Sequence, residues 1–171
     1  MAKRMRSRGS DDVAGSVTEI SEGRLIVEPD LIKGALFVDD RGSMSFVNDF
    51  DLKEVRRFYM VQNHEAGFIR AWHCHMEESK YVMALSGTAI LALVKVEDPG
   101  NPPVDPEIDR YILTDSDPAV LWVPPGYAHG AKTLTVDTKL IFFSDASLSE
   151  SQKDDFRFNA FQWDPWSVVP R

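Results

Sequence analysis

Cysteine occurs once in 171 residues, at Cys74, so the chain can form neither an internal disulfide nor a Cys-x-x-Cys pair. A lone thiol suits a reducing compartment, which gives the expectation of a cytoplasmic protein. Long apolar runs are also missing. The longest, Tyr81 to Val94, is interrupted by Ser86, Gly87 and Thr88 and is too short to span a bilayer. The basic start, Met1-Ala-Lys-Arg-Met-Arg-Ser-Arg, lacks the apolar stretch of a secretory signal, and residues 1–23 read as a flexible basic tail. Positive charge is in the minority, with 19 Lys and Arg against 27 Asp and Glu and a formal net charge of −8. This balance argues against nucleic-acid and membrane partners, while a few arginines focused in one pocket would still take a small anion.

Helical periodicity is scarce as well. From Arg24 onward the chain alternates short runs rich in β-branched and aromatic residues with turn formers. Leu25–Val27, Ala35–Val38, Met44–Val47, Val55–Val61, Phe68–His75, Tyr81–Leu85, Thr88–Val96, Arg110–Leu113, Ala119–Val123 and Lys139–Phe143 read as strands. About ten strands at this spacing predict an all-β sandwich or small barrel over residues 24–171. The Pro-rich acidic stretch Glu97–Glu107 reads as a solvated loop, and Leu148–Phe158 as a short helical turn with Ser149 as N-cap. The aromatics that follow, Phe156, Phe158, Phe161, Trp163 and Trp166, are expected to close one end of the barrel.

Two segments carry chemistry. In Gly67-Phe-Ile-Arg-Ala-Trp-His-Cys-His-Met-Glu-Glu-Ser-Lys80, His73 and His75 are two apart and share one face of a strand. In Pro124-Pro-Gly-Tyr-Ala-His-Gly, a third histidine, His129, follows a strand end. The pair resembles the two motifs of the cupin superfamily, whose double-stranded β-helix (jelly-roll) barrel surrounds one pocket. Where a metal-binding cupin has glutamate, this chain has Lys80, and an ammonium there repels a divalent cation. Three imidazoles still leave open a metal-dependent enzyme on His73, His75 and His129, with Glu77 or Glu78 as a fourth ligand.

The order of Asp39-Asp-Arg41-Gly, Gln62-Asn63-His64, Arg70-Ala-Trp-His73, Lys80-Tyr-Val, Pro124-Pro-Gly-Tyr127-Ala-His129 and Trp163-Asp164-Pro165 resembles that of the dTDP-4-dehydrorhamnose 3,5-epimerases. Arg57-Phe-Tyr59 and the paired histidines resemble the related sugar-nucleotide 3,4-ketoisomerases. Both families work without metal or other cofactor on nucleoside-diphosphate 4-keto-6-deoxy sugars. The resemblance implies an isomerase of deoxysugar and polysaccharide biosynthesis, acting as a homodimer on a nucleotide sugar. In it His73 is the base, Asp164 its orienting carboxylate and Lys80 the cation for the enolate, and His75 or Tyr59 assists the proton's return. Arg41 and Arg70 hold the diphosphate, and Gln62, Asn63, Tyr127 and His129 line the pocket. The epimerases' tyrosine after the last barrel strand is missing from Phe142-Phe-Ser-Asp-Ala-Ser. A barrel that binds sugar nucleotides without turning them over is therefore the non-enzymatic alternative.

Overall fold

The computed structural model describes residues 17–21 and 24–168. Among the described residues, fourteen strands and one helix follow in order. The first seven strands are β1 (Val17–Ser21), β2 (Arg24–Val27), β3 (Asp30–Lys33), β4 (Ala35–Asp39), β5 (Gly42–Phe46), β6 (Arg57–Gln62) and β7 (Ile69–His75). Then come β8 (Lys80–Ser86), β9 (Thr88–Lys95), β10 (Asp109–Thr114), β11 (Ala119–Val123), β12 (Tyr127–Thr133), β13 (Lys139–Ser144), α1 (Leu148–Lys153) and β14 (Phe156–Arg157). Strand structure thus begins before the boundary expected at residue 24, because β1 pairs antiparallel with β2. The rest of the expected tail lies outside the described residues. No described helix is long and apolar enough to cross a membrane.

Two antiparallel five-stranded sheets, β10-β9-β12-β7-β14 and β3-β11-β8-β13-β6, face each other. Their inner faces follow the two-residue period: Leu91 and Leu93 of β9 and Ala131 of β12 meet Val82 and Ala84 of β8, Leu121 and Val123 of β11, and Leu140 and Phe142 of β13. This is the all-β, cupin-like double sheet that the pattern predicts. The central strand β12 is not among the expected strands, because Gly130 and its alanine neighbours carry little β propensity. Pairing with both β7 and β9 overrides that local weakness.

The first sheet is buried on its outer side too, which accounts for the nearly unbroken apolar run of β9. The expected barrel plug is instead this outer cover. Trp163 and Trp166 pack on Trp72 with centroids at 5.2 Å each, beside Ile90, Val94 and Ala128, whereas Phe161 stays exposed. Trp163 Nε1 donates to the Pro103 carbonyl at 2.9 Å and ties the Pro-rich loop to the C-terminal segment. The helix N-cap falls two residues earlier than expected, at Ser147 rather than Ser149, and the side chains of Ser147 and Glu150 form a reciprocal capping box.

Gly130 controls how β7 bends over the site. The β12–β7 register runs His129↔His73 and then Ala131↔Arg70, so two residues of β7 lie opposite Gly130. A Cβ at Gly130 would meet the Ala71 Cβ at 2.5 Å and Trp166 at 2.9 Å. Gly130→Ala is expected to cost about 1–3 kcal/mol through overpacking. Urea unfolding measures it, and an unchanged midpoint would contradict this account.

Candidate active site

The inner faces of β7 and β12 bring the three sequence-predicted histidines together. His73 pairs with His129 across the strands, and the His129 ring lies 6.1 Å from both His73 and His75 between centroids. All three open on a cavity of about 510 Å³, a size usual for small-molecule sites. His75 Nδ1 lies 2.6 Å from the Asp154 carbonyl oxygen. A carbonyl can only accept, so Nδ1 carries the proton and Nε2 presents its lone pair. His129 Nδ1 is buried without a hydrogen-bond partner. Among the described residues no group of three or more His, Cys, Asp or Glu is arranged to hold a metal ion.

The carboxylate beside His73 is Asp155, not Asp164. Asp155 Oδ1 lies 3.7 Å from His73 Nδ1, and Asp155 Oδ2 accepts from Arg157 at 2.8 and 2.9 Å. It arrives there because β14 pairs with β7, placing Arg157 opposite His73. Asp154 fastens the same junction: its carboxylate accepts the backbone N–H of Met76, Glu77 and Glu78 at 2.8–3.2 Å. Asp164 instead lies exposed on the C-terminal cover, where it accepts the Trp166 N–H at 3.2 Å. Its place in the order of motifs carried no information about the path of the final loop.

Lys80 points into the barrel, as the alternation of β8 requires, and only 3% of its side chain is exposed. Its amine is 5.7 Å from the Tyr59 ring centroid and is bound to Glu78, so it stands behind the cavity wall rather than on it. Glu78 Oε1 also takes Arg57 at 3.0 Å and the Ser144 hydroxyl. Burial alone would raise the Glu78 carboxyl, but hydrogen bonds from Lys80 and Ser144 hold it below its ordinary value. Arg57, Arg70 and Arg157 are the cations that line the cavity. Tyr59 lines it from the opposite sheet, stacked on Phe142 at 5.1 Å with an interplanar angle of 3°. Burial pushes the Tyr59 phenol up to about 12, so it keeps its proton at neutral pH.

Arg70 and His73 are three apart, yet both line the cavity, because the irregular register opposite Gly130 restores Arg70 to the inner side. Asn63 reaches the site only through Arg70: its Oδ1 accepts from Arg70 Nε at 2.7 Å while its amide donates to the Phe68 carbonyl and Thr133. Three expected contacts fall elsewhere. Gln62 is exposed on the outer face of β6, since a residue three from Tyr59 must point the other way. Tyr127 shares His129's face but lines a separate groove with Glu28, Lys95, Asp109 and Tyr111. Arg41 is exposed in the β4–β5 turn and pairs with Asp39 of its own hairpin. Asp155 and Arg157 were not singled out in the sequence, whereas Arg57 appears there only within the Arg57-Phe-Tyr59 segment and Glu78 only as an alternative metal ligand. The one local signal for Asp155 and Arg157 is the alternation in Asp155-Phe-Arg-Phe158.

All three imidazoles resist protonation. Burial lowers His73, with Arg157 adding to it; burial and Lys80 lower His75; burial and the two neighbouring rings hold His129 well below its ordinary value. The unfolded chain therefore takes up protons near pH 6.5 that the folded site refuses, and stability falls as pH drops below about 6.5. Thermal scans from pH 8 to 5 are expected to show this decline, and His129→Gln is expected to flatten it. A pH-independent midpoint would contradict the burial assigned to these rings.

Solved structures share the architecture. The Mycobacterium tuberculosis rmlC epimerase superposes with a TM-score of 0.65 at 23% identity, over 81% of this chain and 71% of that one. A dTDP-4-dehydrorhamnose 3,5-epimerase from Bacillus anthracis, solved with TDP and PPi bound, gives 0.67 at 23% identity over 92% and 93%. A 3,4-ketoisomerase from Thermoanaerobacterium thermosaccharolyticum, in complex with TDP-4-keto-6-deoxyglucose, gives 0.58 at 19% identity over 78% and 90%. No curated protein sequence matches the chain significantly. The family model described as dTDP-4-dehydrorhamnose 3,5-epimerase matches residues 24–166. With that model covering most of its length, the chain belongs to the dTDP-4-dehydrorhamnose 3,5-epimerase family, a family of isomerases.

Proposed function

We propose that this protein removes and returns a proton on a carbon next to the ketone of a nucleoside-diphosphate 4-keto-6-deoxy sugar. The observation that carries the reading is the His73–Asp155 pair at the mouth of a cavity lined by Arg70 and Arg157 and faced by a protonated Tyr59. A ketone acidifies its neighbouring C–H because the electron pair delocalises onto oxygen as an enolate. His73 takes the proton, and Asp155 orients the ring and supports its positive charge. The enolate oxygen meets the field of Arg57 and, behind Tyr59, of Lys80. Arg70 and Arg157 suit a diphosphate, which guanidinium groups grip in bidentate fashion.

Two donors can return the proton. His75 stands on the same strand face as His73, which favours delivery to a neighbouring carbon on the same side and migration of the ketone. Tyr59 stands on the facing sheet, which favours delivery from the other side and inversion. The phenol arrives from β6 at the place beside Phe142, so the missing tyrosine after β13 does not leave that wall without an acid. Incubation with dTDP-4-keto-6-deoxyglucose in D₂O tests the reading. Deuterium at C3 or C5, or a ketone moved to C3, is expected; no exchange with any 4-keto nucleotide sugar would overturn it.

The site is completed, in this reading, by a second copy of the chain. Phe58 and Met60 are each 63% exposed on β6, which is an edge of its sheet. The β4–β5 hairpin exposes Phe37, Val38 and Met44 beside Arg41. Seating one copy's hairpin against the other's β6 covers both apolar faces, closes the open edge and brings Arg41 near the diphosphate. Analytical ultracentrifugation is expected to show a dimer that Phe58→Asp with Met60→Asp dissociates. A monomeric wild-type protein at micromolar concentration would refute this arrangement.

A further inference from the structure

The buried carboxylate of Glu78 is bonded unevenly. Lys80, Arg57 and Ser144 all donate to Oε1, whereas Oε2 is buried and accepts no hydrogen bond. Leaving a buried charged oxygen without a donor costs free energy, so such an atom calls for a reason. His75 Nδ1 lies 3.2 Å from it, and the Ser151 hydroxyl, also close to this carboxylate, helps hold the carboxyl below its ordinary value. In the neutral ring that nitrogen's proton goes to the Asp154 carbonyl at 2.6 Å, and Glu78 receives nothing from the ring.

We infer that Glu78 is a positioning residue that makes His75 a proton carrier, its unpartnered Oε2 standing ready for the imidazolium formed when Nε2 takes a proton. The inference rests on the proton-transfer reading above and adds a group to it. The step balances: with the C–H proton on His73, the neighbouring hydroxyl of the enediolate gives its proton to Nε2, the electron pair stays on the substrate, and the ring becomes cationic with both nitrogens protonated. That proton then goes to the neighbouring carbon, and His73 returns its own proton to the former ketone oxygen. During that interval Oε2 supplies a counter-charge beside Nδ1 without moving. Asp154 fixes the ring's angle from the end of α1, and Glu78 supplies the charge from the β7–β8 turn.

The groups facing His75 determine the sign of the effect. Lys80 from β8 disfavours the cation, with Arg57 of β6 behind it, while His73 on the same strand and His129 on β12 add positive charge if protonated. Glu78, Asp154 and the nearby Asp155 favour the cation. Glu78→Gln removes one favourable charge and leaves Lys80 and Arg57 uncompensated, so the His75 titration moves to lower pH. Lys80→Met removes an unfavourable charge, so it moves to higher pH.

NMR titration of the histidine rings in the full-length, ligand-free protein tests this, with His75→Asn identifying the resonance. The expected result is a fall of about 1–3 pH units in Glu78→Gln and a rise in Lys80→Met, as for a charge gained or lost within a few ångströms. General loosening of the fold would move both variants the same way, and that outcome, or no shift in Glu78→Gln, overturns the inference. If Glu78→Gln does not fold, ¹⁵N shifts of the wild-type ring decide: the Nδ1–H tautomer supports the inference and the Nε2–H tautomer overturns it. None of these measurements uses substrate, so the inference can fail while deuterium exchange succeeds, and the reverse. In turnover, Glu78→Gln is expected to shift the acid limb of the kcat profile in step with the NMR value and to leave the Kd for dTDP unchanged.

Discussion

Replacing His73 with asparagine is expected to lower the rate of solvent deuterium exchange into a 4-keto nucleotide sugar by about 10²–10⁴-fold, the usual contribution of a positioned general base. Asparagine keeps a polar, hydrogen-bonding group near Asp155 but cannot accept and hold a proton at neutral pH. The effect belongs to kcat. Arg70 and Arg157 remain on the cavity wall, so the Kd for dTDP should stay near the wild-type value. Stability should change little, because 36% of the His73 side chain is exposed and its one charged contact is 3.7 Å long. Asp155→Asn is expected to cost less, about 10–100-fold, as befits a charge-assisted bond that orients the ring rather than taking the proton. At 3.7 Å the contact is longer than a hydrogen bond, and it is expected to tighten when substrate excludes water. Asp164→Asn should be silent in the same assay, since that side chain serves a turn on the outer cover. Exchange by His73→Asn at the wild-type rate would remove the basis of the mechanism. So would a large loss in Asp164→Asn with none in Asp155→Asn.

The second large effect is on stability. Lys80→Met is expected to destabilise the protein by about 3 kcal/mol, near the low end for removing one member of a buried ion pair. Glu78 would keep Arg57 and Ser144, which is why the upper end is not expected. For a chain of 171 residues this corresponds to a fall in Tm of roughly 6–12 °C. The double variant Lys80→Met with Glu78→Gln removes both charges, and it should recover part of the loss because no uncompensated charge is left beside Lys80's former place. Equilibrium urea unfolding of the two single variants and the double variant measures the coupling. A loss below about 0.5 kcal/mol for Lys80→Met would mean that its amine is solvated, as surface substitutions behave, and is no part of the barrel interior.

Much of this site is legible in the chain because strand alternation is a local property. The spacing of His73 and His75 puts them on one face whatever the rest of the molecule does, and Lys80 points inward with Val82 and Ala84 by the same rule. Alternation also places Gln62 on the outside, against the expectation drawn from motif order. It does not decide where along a shared face a side chain falls. Tyr127 has the parity of His129, yet it is two residues earlier on β12 and its ring lines the other groove. Arg70 breaks parity with His73 and still reaches the cavity, through an irregularity that depends on Gly130 and Trp166 meeting β7 from outside.

The amino-acid order by itself determined the all-β architecture, the shared face of the two histidines and the cation where a metal-binding relative would have a carboxylate. These follow from period-two patterning and residue chemistry over a few neighbouring positions. Only the tertiary structure chose Asp155 over Asp164 for His73, made Glu78 the partner of Lys80 and put the already named Tyr59 on the facing wall. Such choices depend on which distant strands pair: β14 with β7 and β13 with β6. Strand pairing is selected by burial summed over whole sheets, so no short segment carries it.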